Sequence, residues 1–353
     1  MSTLAHKIKT GLRLFKTTGI RGVASYSFHR FKYPYLSLYL RVFPGRAPLS
    51  QPQVVQFEIS SKCNLRCPSC SLTREITPGR NMKVEEFTAL LDRLPFKPGS
   101  VSLNGIGEAL VNPHIFQIID RLRERSIACS FYTNGTLLTE RVRKQILDRD
   151  NIGFIGISCD GASKEVFERL RFGAQFEVWI ENVRSFVEQA KSRRPNPIQL
   201  AMSTVVSRDN QHEIAEIVDL AADLGFESIG LSDVVPNDET SAAMALDPEA
   251  WRQIDLQALV ERAANRGLTV VFSSLNRKPR PHLNCFQPWD YTQISAEGDI
   301  LPCCAVIGSD KAEVMGNLHS ESFDAIWRGD KLRHFRATAA AGTNSLCKSC
   351  PYY

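Results

Sequence analysis

From residue 53 onward the sequence alternates short apolar runs with longer amphipathic stretches, and this alternation restricts the fold more than any other feature. Strands are expected at 54–60, 100–106, 127–133, 152–158, 198–206 and 228–235, and helices at 84–94, 112–125, 138–148, 177–191, 210–224 and 248–266. Strands separated by helix-length connections pair in parallel, because parallel neighbours need a crossover rather than a tight turn. The expected architecture is therefore an α/β sheet of six strand–helix units closing into an open or partial barrel. In such folds the chemistry sits at the C-terminal ends of the strands. After residue 267 the style changes to a short strand at 268–273, a proline-broken basic link (Arg277, Pro279, Pro281) and a cysteine-rich tail. The chain is accordingly divided into a leader over 1–50, a barrel over 51–267 and a smaller domain over 268–353.

The 353 residues are 43% apolar and 23% charged, a globular balance. No run approaches the roughly 18 apolar residues of a membrane span, and the N-terminus lacks the apolar core of a signal peptide, so the protein is read as cytoplasmic. Thiols stay reduced there, and ten cysteines then point to metal, cluster or catalytic work. The leader is basic and aromatic: residues 1–57 hold nine Lys or Arg and no Asp or Glu. Leu4, Ile8, Leu12 and Phe15 share one helical stripe opposite Lys9, Arg13 and Lys16. Two readings of this helical leader stand. It lies on an anionic membrane surface, making the protein peripheral on the inner membrane, or it packs on the body with its basic face in water. Nucleic acid is not expected as a partner, since no binding motif accompanies the charge.

Cys63, Cys67 and Cys70 form C-x3-C-x2-C directly after the first expected strand. Three thiolates on one loop can hold three corners of a 4Fe-4S cluster and leave one iron open, or three sites of a zinc ion, which normally wants a fourth protein ligand. No His or Cys follows nearby at finger spacing. The triplet resembles the hallmark of the radical S-adenosylmethionine (SAM) superfamily, and other segments share the likeness. Gly105, Gly107 and Glu108 in NGIGEALVNP resemble the family motif that receives the amino group of SAM. Thr133, Asn134 and Gly135 resemble its third-strand TNG, and Ser158, Asp160 and Gly161, followed by Arg171, resemble its fourth-strand contacts to ribose and carboxylate. Ser69 departs from the family, which often has an aromatic residue before the third cysteine. The resemblance implies a partial (β/α)6 radical SAM barrel, SAM as cofactor, and an electron donor such as flavodoxin or ferredoxin. It also implies a SAM-derived radical that abstracts hydrogen from carbon, the hard chemistry belonging to the cofactor.

Cys285, Cys303, Cys347 and Cys350 supply four further thiolates, with twelve residues between Cys285 and Gly298 and four between Gly298 and Cys303. Tetrahedral sulfur suits both zinc and iron–sulfur centres. The segment resembles the SPASM/twitch extension of radical SAM enzymes, which implies one auxiliary 4Fe-4S cluster and two clusters in all. Cys304 is left with three readings: a buried spare, an alternative ligand or a hydrogen donor. Cys129 and Cys159 are read as core. Asp233, at the end of the sixth strand, is a candidate proton acceptor or else a capping or solvent-exposed carboxylate.

These features set the expected reaction. An auxiliary cluster can accept the electron left when hydrogen is removed from an alcohol carbon, and epimerisation would need a donor such as Cys304. The expectation is an oxidoreductase or epimerase acting on a small carbohydrate-like substrate, lipid-linked in view of the basic leader. Peptide maturation is the principal alternative, and a non-catalytic metal-binding scaffold is the second.

Overall fold

Parallel pairing in sequence order gives the sheet its shape. A computed structural model describes residues 38–39, 42–43, 45–47, 51–74, 79–192, 198–236, 238–272, 285–304 and 313–350. Strands β1 (Val54–Phe57), β2 (Ser100–Ser102), β3 (Ala128–Thr133), β4 (Ile152–Ser158), β5 (Gln199–Val206), β6 (Ser228–Asp233) and β7 (Thr269–Phe272) each lie beside their predecessor, all parallel. The first six are the partial barrel expected from the alternation, whereas β7, expected in the smaller domain, instead extends the same sheet beside β6.

The tail continues the same sheet. Strand β8 (Tyr291–Ile294) pairs parallel with β1, and β9 (Asp299–Leu301) and β10 (Gly316–Asn317) follow antiparallel beyond it. The order is β10-β9-β8-β1-β2-β3-β4-β5-β6-β7. The cysteine-rich tail thus abuts the strand that leads into the first cysteine loop.

The outer face of the sheet is covered by α1 (Val84–Asp92), α2 (Ile115–Glu124), α3 (Glu140–Leu147), α4 (Lys164–Leu170), α5 (Phe176–Ser192) and α6 (Ile214–Asp223). In β1 the alternation is explicit: Val55 and Phe57 are fully buried, and Phe57 meets Phe87 of α1 edge-on at 4.8 Å. Gln56 and Glu58 therefore point to the opposite face, the barrel interior. Ile118, Ile119 and Leu122 of α2 and Trp179, Val183 and Phe186 of α5 complete the helical layer of the core.

Two helices differ from expectation. α4 falls in a stretch where no helix is expected, and there Ser163 caps its start and Val166, Phe167 and Leu170 form a short buried stripe. The expected helix over 248–266 is two helices, α8 (Pro248–Gln253) and α9 (Leu256–Ala264), after a short α7 (Glu239–Met244). Asp255 accepts from the Ala258 N–H and starts a new helix there, and a capping carboxylate favours a start over a continuation. Beyond the sheet lie α10 (Gln287–Asp290), α11 (Phe323–Arg328), α12 (Asp330–Ala340) and α13 (Ser345–Ser349).

The expected leader stripe of Leu4, Ile8, Leu12 and Phe15 and the link at 277–281 lie outside the described residues. Tyr39 and Ala47 pack against the core, and the Tyr39 hydroxyl donates to the Ala47 carbonyl at 2.9 Å. Among the described residues no helix is long and apolar enough to cross a membrane.

Candidate active site

The loop carrying Cys63, Cys67 and Cys70 leaves β1 at the C-terminal edge of the sheet and is held from three sides. From the β2 side, the Glu108 N–H donates to the Lys62 carbonyl at 2.8 Å. The adjoining Gly107 is so close that a Cβ there would stand 2.4 Å from that same oxygen, so the approach requires glycine. From the β3 side, Asn134 Nδ2 reaches Asn64 Oδ1 at 2.9 Å and the Cys63 sulfur at 3.9 Å. From the β4 side, the Arg66 N–H donates to the Phe172 carbonyl at 2.9 Å. The three elements are the ones that carry the motif residues.

Glu108 ties two of them together. Its side chain accepts from Leu110 N at 3.1 Å, Thr133 Oγ1 at 2.7 Å and Asn134 N at 2.7 Å. A carboxylate offers about four acceptor positions, so one remains for a further donor. Burial pushes this carboxyl above its usual range, against the hydrogen bonds from Asn134, Thr133 and Leu110. Asn134 is engaged throughout: its Oδ1 accepts from Thr136 N, and its carbonyl accepts from Trp179 Nε1 at 2.9 Å. Gly135 follows at φ +79°, and a Cβ there would also meet Trp179 Nε1 at 2.5 Å. Gly105 leaves room for Glu58, whose Oε1 accepts from Ile106 N at 3.0 Å and whose Oε2 accepts from Ala296 N at 3.4 Å. Glu58 thereby joins β1, the β2 loop and the tail. The sequence reading missed it; an acid inside the apolar run VVQFEIS is the signal that marks it.

Asp160 and Arg171 form a buried ion pair with Nε and Oδ2 2.7 Å apart. Asp160 Oδ1 also accepts from Val205 N at 2.8 Å. Burial works against the charge on Arg171, but Asp160 and Cys67 outweigh it and keep the guanidinium firmly protonated. Burial likewise raises the Cys67 thiol while Arg171, which hydrogen-bonds it, draws it down. Burial raises the Cys63 thiol against the Leu65 N–H. Arg171 is therefore a cation shared between a carboxylate and a cysteine. Ser158 ends β4 on the interior face, in register with Ser203. Asp233 ends β6 in register with Val206, one residue past the interior-facing Ser232, and so occupies the helix-side position.

Glu213 steadies the neighbouring 161–163 turn. It accepts from Ala162 N at 2.8 Å, Ser163 N at 3.2 Å and the Ser163 hydroxyl. Burial pulls its carboxyl upward, but these hydrogen bonds prevail and hold it below the ordinary 4.5. A lowered carboxylate stabilises the fold above its unfolded pKa, and the contribution is lost as pH falls through the folded value. Glu213→Ala is expected to destabilise by about 1–2 kcal/mol at pH 7. In urea titrations the gap to the wild type should close on acidification below the ordinary carboxylate range; a pH-independent gap would refute the assignment.

In the tail, Cys285, Cys304, Cys347 and Cys350 come within electrostatic reach of one another: Cys285 senses Cys350, and Cys304 and Cys347 each sense Cys285 and Cys350. Burial is the first cause in each case, raising Cys285 to about 11 and Cys304 and Cys347 to about 12. Cys303 is half-buried and, with Cys304, lies near Tyr291. Both adjacent cysteines thus reach this region. Cys129 and Cys159 are core residues, 2% and 0% exposed.

Among the described residues no three His, Cys, Asp or Glu side chains crowd closely enough to hold a single metal ion. An iron–sulfur cluster asks for wider spacing, because each cysteine binds a separate iron. Three thiols on one loop, with Asn134 and Arg171 N–H groups directed at two of the sulfurs, are a donor set that fits such a cluster.

The family model of the radical SAM superfamily matches residues 57–221, and that of SPASM, an iron–sulfur cluster-binding domain, matches residues 285–351. The chain is 22% identical over 319 residues to the tungsten-containing aldehyde ferredoxin oxidoreductase cofactor-modifying protein of Pyrococcus furiosus, covering 83% of this chain and 85% of that one. It is 24% identical over 323 residues to the mycofactocin maturase MftC of Mycobacterium tuberculosis (86% and 77% covered). It is 24% identical over 313 residues to the PqqA peptide cyclase of Bradyrhizobium diazoefficiens (85% and 79%). Among solved structures, Streptococcus suis SuiB bound to precursor peptide SuiA shares the fold with TM-score 0.65 at 17% identity, covering 95% of this chain and 75% of that one.

Proposed function

Because the chain belongs to the radical SAM superfamily, with a C-terminal SPASM domain that binds auxiliary iron–sulfur, we propose that it is a maturase that modifies a peptide or protein by removing hydrogen from one of its carbons. The observation that carries the site assignment is the convergence of Glu108, Asn134 and Arg171 on the loop of Cys63, Cys67 and Cys70. Those three cysteines hold the SAM-binding 4Fe-4S cluster in this reading. Cys285, Cys347 and Cys350 hold the auxiliary cluster together with Cys303 or Cys304. With both bound, the cluster and SAM would supply the radical chemistry that removes hydrogen from a substrate carbon.

The protein's own part is positioning and exclusion of water. The remaining acceptor position of Glu108 receives the ammonium of SAM, and Asn134 fixes the loop beside it. Arg171, charged and shared by Asp160 and Cys67, sets a positive group where the SAM carboxylate arrives. Ser158 presents a hydroxyl on the interior face for the ribose. An external one-electron donor such as flavodoxin or ferredoxin completes the system.

The names of the relatives, a peptide cyclase and a maturase, support the peptide class. The carbohydrate-like, lipid-linked substrate expected from the sequence drew chiefly on the leader, most of which lies outside the described residues, and it takes second place. Two measurements test the proposal. Anaerobically reconstituted protein given SAM and a reductant should release 5′-deoxyadenosine, and a short peptide encoded beside its gene should lose hydrogen by mass spectrometry. A glycoside modified in place of the peptide would overturn the substrate class.

The auxiliary cysteines give a sharper expectation. Cys347→Ala with Cys350→Ala should remove one cluster, keep SAM cleavage and lower product formation at least tenfold. Iron content and circular dichroism on the same sample check that the fold survives. Unchanged product from a folded variant lacking that cluster would exclude an electron-accepting role.

A further inference from the structure

We propose that Gln56 and Gln293 form a carboxamide pair inside the barrel that binds a neutral amide of the substrate, one donating to its carbonyl and the other accepting from its N–H. The two residues are register partners on the adjacent parallel strands β1 and β8. Such partners stand about 4.8 Å apart with side chains on one face. Their flanking residues Val55, Phe57 and Ile294 are buried in the helical layer, so both glutamines face the interior.

Both are sealed from solvent, at 6% and 1% exposure, yet Gln56 Nε2 and Gln293 Oε1 have no hydrogen-bond partner. An unpaired buried donor and an unpaired buried acceptor each cost free energy, and native proteins rarely keep them without a use. Together they leave one donor and one acceptor to be satisfied, the complement of one amide. The Tyr291 hydroxyl, two residues before Gln293 on the same face, is also unpartnered and lies near Cys303 and Cys304. The orphan groups therefore run along β8 from the interior toward the second set of cysteines.

Two further observations bear on the openness of this face and on the charge it tolerates. Tyr132, on the central strand β3, is 47% exposed, its ring lying so close over Gly156 that a Cβ there would fall 2.2 Å from it. A central strand covered on this face by protein would not leave a tyrosine so open. None of the interior positions within β1 to β6 and β8 is charged, and Glu58, one residue past β1, is already bonded to Ile106 N and Ala296 N. A charged substrate group would be desolvated there without a counter-charge, whereas a neutral amide pairs fully.

The inference rests on the peptide reading, and its test separates the two. The probe is N-acetylalanine N-methylamide, with methyl glucoside as its carbohydrate counterpart, and binding to the reconstituted protein with SAM is read by saturation-transfer NMR. Gln56→Leu and Gln293→Leu should each weaken the amide probe at least tenfold. Melting temperatures of the free variants should stay level or rise, because each loses an unpaired buried group. A clear fall in melting temperature in both would make the glutamines structural and overturn the inference. Probe binding unchanged in both variants would overturn it while leaving the peptide reading in place. Binding of the glucoside but not the amide by the wild type would overturn both.

Discussion

Replacing Cys63, Cys67 and Cys70 together with Ala is expected to abolish 5′-deoxyadenosine formation and to lower iron from about eight to about four atoms per chain after anaerobic reconstitution. The loop should keep its course, because its main anchors are backbone contacts that the thiols do not make: Glu108 N to Lys62 O, Arg66 N to Phe172 O and Cys70 N to Cys67 O. The Cys63 sulfur accepts only weak bonds, from Leu65 N at 3.4 Å and Asn134 Nδ2 at 3.9 Å, and the Cys67 sulfur accepts one from Arg171. A near-native melting curve together with zero turnover would thus separate loss of the cluster from loss of the fold. Residual 5′-deoxyadenosine from the triple variant would mean that the active cluster is held elsewhere, and unchanged iron would mean that these thiols hold none.

The parallel barrel was legible because each of its units is local: an apolar run, a turn and an amphipathic helix announce themselves within about 35 residues. Strand β8 was not, for the opposite reason. YTQI has one weakly apolar alternation, and it becomes a strand only by pairing with Val54–Phe57, far away in the chain. The same separation hid the role of Glu58, whose partner N–H groups on Ile106 and Ala296 come from two different segments. Asn112 is a parallel case: it stands in the segment NGIGEALVNP, but its role as a buried amide bridging the Ile59 and Met82 carbonyls depends on two distant segments. Helix α4 could have been found from Ser163 followed by Val166, Phe167 and Leu170, a cap and a stripe too short to outweigh the surrounding turn residues.

Within the site, motif likeness named residues that the fold brings together but left their geometry open. Glu108 spends three acceptor positions on the protein, and Asp160 and Arg171 spend themselves largely on each other. Residues drawn from the ends of successive strands become mutual supports as well as ligand contacts. No single-sequence signal distinguishes a carboxylate that touches a cofactor from one that aims the residue that does.

That distinction can be measured at Asp160. Removing its charge as Asp160→Leu leaves the Arg171 guanidinium buried without its carboxylate. Breaking one side of a buried ion pair typically costs about 3–5 kcal/mol, whereas replacing both partners by apolar groups is often close to neutral. Asp160→Leu alone should therefore lower the urea midpoint of the reconstituted protein sharply, and Asp160→Leu with Arg171→Met should recover most of the loss. SAM binding should follow a different order. If Arg171 only neutralises Asp160, the double variant regains affinity with stability; if it also receives the SAM carboxylate, stability returns and affinity stays at least tenfold reduced. A single variant as stable as the wild type would mean that Arg171 finds its counter-charge elsewhere, and the shared-cation account of this corner of the site would fall.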